Sequence, residues 1–405
     1  MSVLNLSTAT LASSDRTDVD LVARAKALVP DLREARSEID RLARPPEELA
    51  ERMKQEGIYS MTVPHEYGGL QSSLDTWRQV VTEIGRGDAG VAWGLTLVTA
   101  CNWMAANLYP KHVSEEIFAR PNTNVAGVFS GRAVKARRAD GGIVVEKGMW
   151  FFNSGVYQAD WDLLGVPMFD KNGEPIGPGV AAVPMSDVKN LHDWNPSGLR
   201  GSGSTNVAME DVFIPDERIV SLMGCNRGEV KPTYPEVPIF NAAFGPLMVL
   251  ILAFPVLGVA KHIMENFLET VGKRDIKLTT YTNQGEAPVT HLQTGEISAM
   301  FDAAESIIVR AVEKVDLWSA GKAFMPVAER ARVNRDVAFA DRMVFEAATK
   351  LSEAGGGSFA HSKNIANRLW QDARVATMHP FVNPSSNFET YGRLLCGVEE
   401  LLMQV

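Results

Sequence analysis

The sequence predicts an α+β protein in which a helical region, a β region and a second helical region follow one another. Three observations support this order. Apolar residues recur at helical spacing up to about residue 108. Short apolar segments separated by turn residues follow from about residue 124. Long helical patterns then fill the chain after Pro238. At 405 residues, the chain is long enough for two or three hydrophobic cores.

The first helical region is predicted over residues 19–122, after a Ser/Thr-rich tail, residues 1–18, that we expect to be disordered. Pro30 interrupts its first helical pattern. Glu47 and Glu48 follow a Pro-Pro pair and lie where the dipole of a starting helix favours acidic side chains. The helical patterns cover residues 21–55, 73–86 and 90–108.

Residues 123–230 form the predicted β region, a barrel or sandwich of about a hundred residues. Asp-Gly-Gly at 140–142 and Lys-Asn-Gly at 171–173 are typical of hairpin connections. The predicted strands cover residues 125–130, 143–146, 149–152, 161–168, 180–184 and 207–214.

Residues 231–405 form the second helical region, predicted as a four-helix bundle. Its helical patterns cover residues 242–271, 293–320, 326–355 and 362–376. The stretch 244–260 is strongly apolar, but it is short and holds Pro246 and Pro255. We therefore expect a buried core helix there and no membrane span.

Charge and composition argue against a nucleic-acid-binding protein, a disulfide-rich protein and a metalloprotein. A net charge of -9 argues against a nucleic-acid partner. Three scattered cysteines form neither a disulfide framework nor a zinc site, and the histidines show no ligand spacing, so we predict no metal. The N-terminus lacks a signal-peptide pattern, which favours a reducing cytoplasm.

Two glycine-rich stretches stand out, Gly-Met-Trp-Phe-Phe-Asn-Ser-Gly at 148–155 and Trp-Asn-Pro-Ser-Gly-Leu-Arg-Gly-Ser-Gly-Ser at 194–204. Trp150 and Phe152 are two residues apart, so on a regular strand they share one face. Asn153 and Ser154 place hydrogen-bonding groups at the strand's end. An aromatic wall beside such groups suits a planar ring with polar edges, such as an isoalloxazine. An ordinary hairpin with a buried tryptophan fits the same residues.

These stretches resemble the middle domain of the acyl-CoA dehydrogenase superfamily. Pro-x-Glu-Tyr-Gly-Gly at 64–69 and Glu-Asp-Val-Phe-Ile-Pro at 210–215 extend the likeness from about Ala43 to the end of the chain. The chain is most similar to the oxygenase components of two-component flavin-dependent monooxygenases, whose members oxidise 4-hydroxyphenylacetate, dibenzothiophene or indoles. The resemblance implies an N-terminal helical domain, a middle β domain, a C-terminal four-helix bundle and a homotetramer, or a dimer.

The resemblance also implies the chemistry. Reduced FMN or FAD would come from a separate NAD(P)H-dependent flavin reductase, since no Gly-x-Gly-x-x-Gly nicotinamide fingerprint is present. The flavin would react with O2 to give a C4a-hydroperoxide, which oxygenates a small aromatic substrate such as a phenol, an indole or a polycyclic compound.

His379 is the first catalytic candidate. Met-His-Pro at 378–380 stands where acyl-CoA dehydrogenases carry the glutamate that removes a proton from the substrate, and the monooxygenase branch has a histidine there. His379 would orient the peroxide or accept a proton from the substrate. A structural histidine at a helix end also fits this position. The alternative is an acyl-CoA dehydrogenase with a relocated base, for which Glu269, Glu296 and Glu305 are candidates.

The remaining site residues are assigned by the resemblance. Ser154, the second catalytic candidate, matches a serine near flavin N5, although Asn-Ser-Gly is also a plain turn sequence. The other predicted cofactor contacts are Ser130, Trp150, Phe152, Asn153, Trp194, Arg200, Ser204, Arg274, Gly355, Gly356 and Gly357. Besides His379, the predicted substrate contacts are Trp93, Trp103 and Phe240. The two tryptophans lie on or beside an apolar helix stripe, a pattern that is also typical of core residues.

Overall fold

The structure, a computed structural model, describes residues 18–398 and 400–402. The tail expected to be disordered lies outside the described residues except for Asp18. The Asp18 side chain accepts a hydrogen bond from the backbone N–H of Leu21 (2.9 Å) and so caps the first helix.

Within the described chain, the first region contains seven helices. They are α1 (Val19–Ala27), α2 (Val29–Glu34), α3 (Arg36–Leu42), α4 (Glu47–Gln55), α5 (Leu74–Gly87), α6 (Ala89–Asn107) and α7 (Lys111–Ile117). The pattern over residues 21–55 therefore folds as four short helices. Helix α6 is almost completely enclosed by the rest of the protein.

The β region is a sandwich of two sheets, each with four strands among the described residues. The strands are β1 (Val125–Val128), β2 (Val134–Ala139), β3 (Gly142–Asn153), β4 (Trp161–Phe169), β5 (Pro175–Pro184), β6 (Lys189–Asn190), β7 (Thr205–Pro215) and β8 (Ile219–Ser221). Their orders are β1-β4-β5-β8 and β2-β3-β7-β6. Strands β1 and β4 are parallel, and the other neighbours are antiparallel.

Sequence reasoning found the longer strands but not their full extent. The segments predicted at 143–146 and 149–152 are one strand, β3, while β2, β6 and β8 were not predicted. Apolar side chains from both sheets fill the space between them, among them Trp150, Leu164, Ala181 and Val207.

The second helical region begins with the short helix α8 (Leu222–Arg227) and continues with α9 (Phe244–Val271), α10 (Pro288–Ala320), α11 (Val327–Ala354), α12 (Ile365–Ala376) and α13 (Pro384–Leu395). Helices α9 to α12 form the predicted bundle, and their bounds agree with the sequence patterns to within a few residues. Helix α13 was not predicted.

Two helices of the described chain, α6 and α9, are long and apolar enough to cross a membrane by length and composition alone. In their most apolar windows, 94% of α6 and 89% of α9 is buried inside the protein. Both are therefore core helices; this was expected for α9 from its length and prolines, and the burial of α6 is a finding of the structure.

Helices α5 and α9 cross in direct backbone contact at Gly85 and Gly258. A Cβ on Gly85 would lie 2.9 Å from the carbonyl oxygen of Pro255, and a Cβ on Gly258 would lie 2.5 Å from that of Thr82. No larger residue fits at either position without moving a helix. This crossing joins the first helical region to the bundle.

Candidate functional site

Three serine hydroxyls form a buried chain where β3 ends. Ser154 Oγ lies 2.7 Å from Ser204 Oγ, which lies 2.6 Å from Ser202 Oγ. The backbone N–H of Gly155 donates to the carbonyl oxygen of Ser202 (2.8 Å). This hydroxyl chain ties the end of β3 to the glycine-rich loop that carries Ser202 and Ser204.

A buried ion cluster holds that loop against α12. The backbone N–H of Leu199 donates to Asp372 Oδ1 (2.6 Å), and Leu199 itself has a positive φ of 54°. Arg368 Nη2 donates to Asp88 Oδ2 and to Asp40 Oδ1, both at 2.7 Å. Burial raises the pKa of Asp372 to about 6, because the opposing charge of Arg368 lowers it by less. The cluster thus connects the loop to α12, α3 and the start of α6.

His379 lies just beyond α12 and caps the 3-10 turn that follows. Its Nδ1 accepts a hydrogen bond from the backbone N–H of Phe381 (3.2 Å). The imidazole ring centre lies 5.8 Å from that of Trp93 and 5.2 Å from that of Phe381. Burial lowers the pKa of His379 to about 4. The ring is therefore neutral near pH 7, and because Nδ1 is an acceptor its proton lies on Nε2.

Helix α6 brings His379 and the hydroxyl chain to the same neighbourhood. Trp93 contacts His379, and a Cβ on the next residue, Gly94, would lie 3.1 Å from the carbonyl oxygen of Ser202. Within α6, Leu97 is the one residue that is only partly buried, and it follows Trp93 by about one turn. The first turns of α6 therefore contact both sides of the candidate site, the hydroxyl chain, here called the polar wall, and His379, here called the helical wall.

Comparison with known proteins identifies the family. Residues 22–117 match the family model of the acyl-CoA dehydrogenase N-terminal domain, and residues 250–384 match that of the acyl-CoA dehydrogenase C-terminal domain. Together the two matches cover more than half of the chain. The chain belongs to the acyl-CoA dehydrogenase family, in its flavin-dependent monooxygenase branch.

The relatives define the branch. The oxygenase subunit HsaA of a flavin-dependent monooxygenase from Rhodococcus jostii is 26% identical, over 91% of this chain and 96% of the relative. The oxygenase component of p-hydroxyphenylacetate 3-hydroxylase from Acinetobacter baumannii is 24% identical, over 95% and 91%. The structure of XiaF from Streptomyces sp. in complex with FADH2 and glycerol has a TM-score of 0.87 and 26% identity, over 95% of this chain and 97% of XiaF. The predictions of the fold, of an oxygenase component and of a reduced flavin cofactor are confirmed.

One geometric expectation for this monooxygenase was wrong: Trp150 and Phe152 do not share a face. Trp150 is 0% exposed inside the sandwich, where its Nε1–H donates to the carbonyl oxygen of Gly165 (2.8 Å). Phe152 is 68% exposed, has a positive φ of 64° and meets Trp194 edge to face. The pairing of β3 with β7 shifts register between Trp150 and Asn153, and this irregularity breaks the strand alternation. Trp150 therefore cannot be part of an aromatic wall beside the ring.

Trp194 and Arg200 make hydrogen bonds within their own loop. Trp194 Nε1–H donates to the carbonyl oxygen of Leu199 (3.4 Å), and Arg200 Nη1 donates to that of Pro196 (3.1 Å). Both side chains are partly exposed, so they remain accessible to a bound group.

Two further predicted cofactor contacts, Ser130 and Asn153, differ in exposure. Ser130 is exposed just beyond the end of β1. Asn153 is fully buried and turns inward, where its Nδ2 donates to Asp162 Oδ2 (2.6 Å). The Asn153 side chain therefore lies behind the surface of the candidate site and is not exposed to a bound group.

The structure brings Arg274 and the glycine turn at 355–357 together. A Cβ on Gly355 would lie 3.9 Å from Arg274 Nη1, and a Cβ on Gly356 or Gly357 would meet no atom within 4 Å. Arg274 and Gly355 border a narrow cleft that Trp370 also lines. A guanidinium beside exposed glycine backbone suits a phosphate group.

Of the predicted substrate contacts, Trp93 lies against His379, whereas Trp103 and Phe240 are core residues. Trp103 is fully buried, and its Nε1–H donates to the carbonyl oxygen of Ile239 (3.0 Å). Phe240 is equally buried and packs on Tyr234, with ring centres 5.3 Å apart. Neither aromatic ring reaches an open surface.

The three glutamates considered as a relocated base do not form a closed site. Glu269 and Glu296 are exposed. Glu305 is partly exposed and pairs with Lys261 (3.2 Å). A base facing a sequestered ring would be buried, and none of the three is. Sequence reasoning missed instead the residues that position the site, chiefly Asp372, whose partner Leu199 is 173 positions away, and Asp162, whose partner Asn153 lies in the other sheet.

Proposed function

We propose that this monooxygenase hydroxylates or otherwise oxygenates a small aromatic substrate, a phenol, an indole or a polycyclic compound, with reduced flavin and O2. The observation that carries the proposal is the neutral imidazole of His379, packed on Trp93, at the position where an acyl-CoA dehydrogenase needs a carboxylate base. An imidazole with its proton on Nε2 cannot replace a carboxylate in removing a proton from a thioester, but it can donate a hydrogen bond to an oxygen atom.

The described residues fit a flavin. The Ser154 hydroxyl would hydrogen-bond the ring near N5, and Ser204 would keep that hydroxyl oriented. Arg274 and the exposed backbone at 355–357 would hold the phosphate end. When bound, the reduced flavin supplies the electrons that activate O2.

His379 is best suited to act as a hydrogen-bond donor. Its Nδ1 is occupied by the backbone N–H of Phe381, so Nε2–H is the group available to a ligand. A low pKa makes the ring a weak proton acceptor near neutrality. We therefore favour a role in which Nε2–H orients the oxygen that is transferred or stabilises negative charge on a phenolic oxygen. The rings of Trp93 and Phe381 contact the imidazole and limit the access of water to it.

We also propose the setting of the reaction. A separate NAD(P)H-dependent reductase would deliver reduced flavin, as the words "oxygenase component" and "oxygenase subunit" in the relatives' names support. A homotetramer or dimer is supported by exposed apolar residues on the bundle helices, such as Leu268, Leu292 and Leu317. A reducing cytoplasm suits the free thiols of Cys101 and Cys225.

The test mixes the protein anaerobically with reduced FMN or FAD and then with oxygenated buffer, with p-hydroxyphenylacetate or indole present. We expect an oxygenated product by mass spectrometry and less H2O2 than free flavin produces. A parallel sample with oxidised FAD and an acyl-CoA tests the dehydrogenase alternative. Bleaching by the acyl-CoA, with no oxygenated product from any aromatic compound, would refute the proposal.

A further inference from the structure

Asn153 and Asp162 form a buried pair directly behind Ser154. Asn153 ends β3 and precedes Ser154 in the chain, while Asp162 is the second residue of β4, in the other sheet. Asn153 Nδ2 donates to Asp162 Oδ2 at 2.6 Å, and both residues are 0% exposed. The pair therefore bridges the two sheets at the end of the sandwich that carries the hydroxyl chain.

Each of the two side chains has one oxygen without a hydrogen-bond partner among the described residues. Asn153 Oδ1 and Asp162 Oδ1 are buried and have no hydrogen bond within the part of the chain that the structure describes. An amide oxygen only accepts, and so does an ionised carboxylate, so the two oxygens cannot satisfy each other while Asp162 is charged. Leaving two buried acceptors unpaired is unfavourable. A protonated Asp162 can donate from Oδ1 to Asn153 Oδ1, which closes a cyclic acid–amide pair.

The surroundings of Asp162 favour the neutral acid. Its strand neighbours are Ala126 on β1 and Val183 on β5. The titratable group that faces it is the Cys101 thiol of α6, and burial raises the pKa of that thiol too. No lysine, arginine or histidine among the described residues pairs with Asp162. Burial raises the pKa of Asp162 to about 7, and the hydrogen bonds from Asn153 and from the Leu163 backbone lower it by less.

We propose that Asp162 is a positioning residue whose protonated carboxyl pairs with the Asn153 amide and so fixes the backbone that presents the Ser154 hydroxyl. Ionisation of Asp162 turns the donated hydrogen bond into a contact between two acceptors, and the Asn153 amide must then move. Ser154 follows it in the chain, so the flavin-binding end of β3 loses its fixed position as the pH rises. The consequence for flavin rests on the proposed function; the protonation state of Asp162 does not.

The first test is infrared spectroscopy of the flavin-free protein. At pH 6 we expect the difference spectrum, wild type minus Asp162→Asn, to show a C=O stretch of a protonated carboxyl that shifts in D2O. The bands of Asp341 and Asp372, whose pKa burial also raises, are common to both proteins and cancel. The matched control Asp187→Asn removes an exposed carboxylate and should leave the band unchanged. Absence of that band from the difference spectrum overturns the proposal, since a carboxylate bridged by water would then occupy the site.

The second test measures reduced-flavin affinity against pH. The affinity of the wild-type protein for reduced flavin should fall as the pH rises past the pKa of Asp162. Asp162→Asn should remove this fall, because an amide at 162 can still donate to Asn153 Oδ1. Asp162→Leu should weaken binding roughly tenfold at every pH, as expected when a buried polar group loses its partner.

The double variant Asn153→Asp/Asp162→Asn exchanges acid and amide and should restore both binding and the pH dependence. It keeps the test decisive if Asp162→Leu does not fold. A flat affinity profile in the wild type overturns the positioning role. If no aromatic compound is oxygenated, the proposed function fails, but the infrared band and the affinity profile still decide this inference.

Discussion

The two walls of the candidate site are held in different ways. On the β side, the hydroxyls of Ser154, Ser204 and Ser202 are buried and bonded to one another at 2.6–2.7 Å. On the helical side, His379 is only partly buried. Its imidazole is held by one hydrogen bond from a backbone N–H and by two ring contacts. Hydrogen bonds fix the first wall, and packing sets the second.

This difference assigns tasks to the two walls. Directional hydrogen bonds between the buried serine hydroxyls leave these side chains little freedom to move. This suits a cofactor whose ring must occupy one position. Ring contacts tolerate small displacements, which suits a surface that meets varied aromatic substrates. We therefore expect substitutions on the β side to change flavin binding and substitutions on the helical side to change oxygen transfer. The following variants test that division, starting with the largest expected effect.

Arg368→Met should cost the most stability, because it leaves Asp88 and Asp372 buried without their cation. Removing one partner from a buried ion pair costs about 3–5 kcal/mol. Urea unfolding measures the loss. Arg374→Met is the control, since Arg374 is exposed and lies over the Phe345 ring. Similar small losses in both variants would show that the ion cluster does not hold the polar wall in place.

His379→Ala should lower the rate of product formation about 10²-fold, the lower end of what one hydrogen-bond donor to developing negative charge contributes. Reduced-flavin affinity should hardly change, because His379 belongs to the helical wall. Stopped-flow oxidation with product analysis and a binding titration give the two values. His361→Ala removes an exposed histidine and serves as the control. Equal loss of affinity and rate would indicate a purely structural histidine.

Ser154→Ala should weaken reduced-flavin binding by about 1 kcal/mol, the usual contribution of one hydrogen bond, which is about fivefold. The fraction of bound flavin that yields product should fall less. Titration under anaerobic conditions measures the affinity, and Ser186→Ala, an exposed serine, is the control. Unchanged affinity together with a large loss of product would reverse the tasks assigned to the two walls.

The smallest effect concerns pH and stability. The pKa of His379 is about 4 in the folded protein against 6.5 normally, so between these values the unfolded chain binds more protons. The contribution of His379 to the free energy of unfolding should therefore be level above pH 6.5 and fall as the pH drops below it. His379→Asn should reduce this slope. His262, whose pKa burial lowers to about 3, contributes with the same sign and remains in the variant. Asp162 and Asp372, whose pKa burial raises, contribute with the opposite sign and remain in the variant. Urea midpoints at pH 5 and pH 7 check both statements.

Periodicity and motif order were enough to predict the three regions, the long helices of the bundle and the position of His379 beyond a helix. These features depend on residues close together in the chain. The face of Phe152 could not be read in this way, because a register shift and a positive φ interrupt the alternation that the prediction assumed. Nothing in the residue types at 150–153 distinguishes such a strand from a regular one.

Sequence reasoning also missed side chains whose partners lie in a different structural element. Asp372 binds the backbone of Leu199, 173 positions away, and Asn153 turns from the site to reach Asp162 in the opposite sheet. A carboxylate on a helix and an asparagine in a turn both have ordinary local explanations. Only the packing of α12 on the loop and of one sheet on the other gives them partners.

The glycine crossing of α5 and α9 limits how ligands enter. At Gly85 and Gly258 no side chain separates the two backbones. A change of side-chain rotamer therefore cannot create the space that one helix would need to slide past the other. The first helical region and the bundle must then move as one body, and a substrate cannot reach Trp93 by parting them. We expect it to pass the segment at 377–383 instead, beside His379, where Met378 and Phe381 are exposed at the surface.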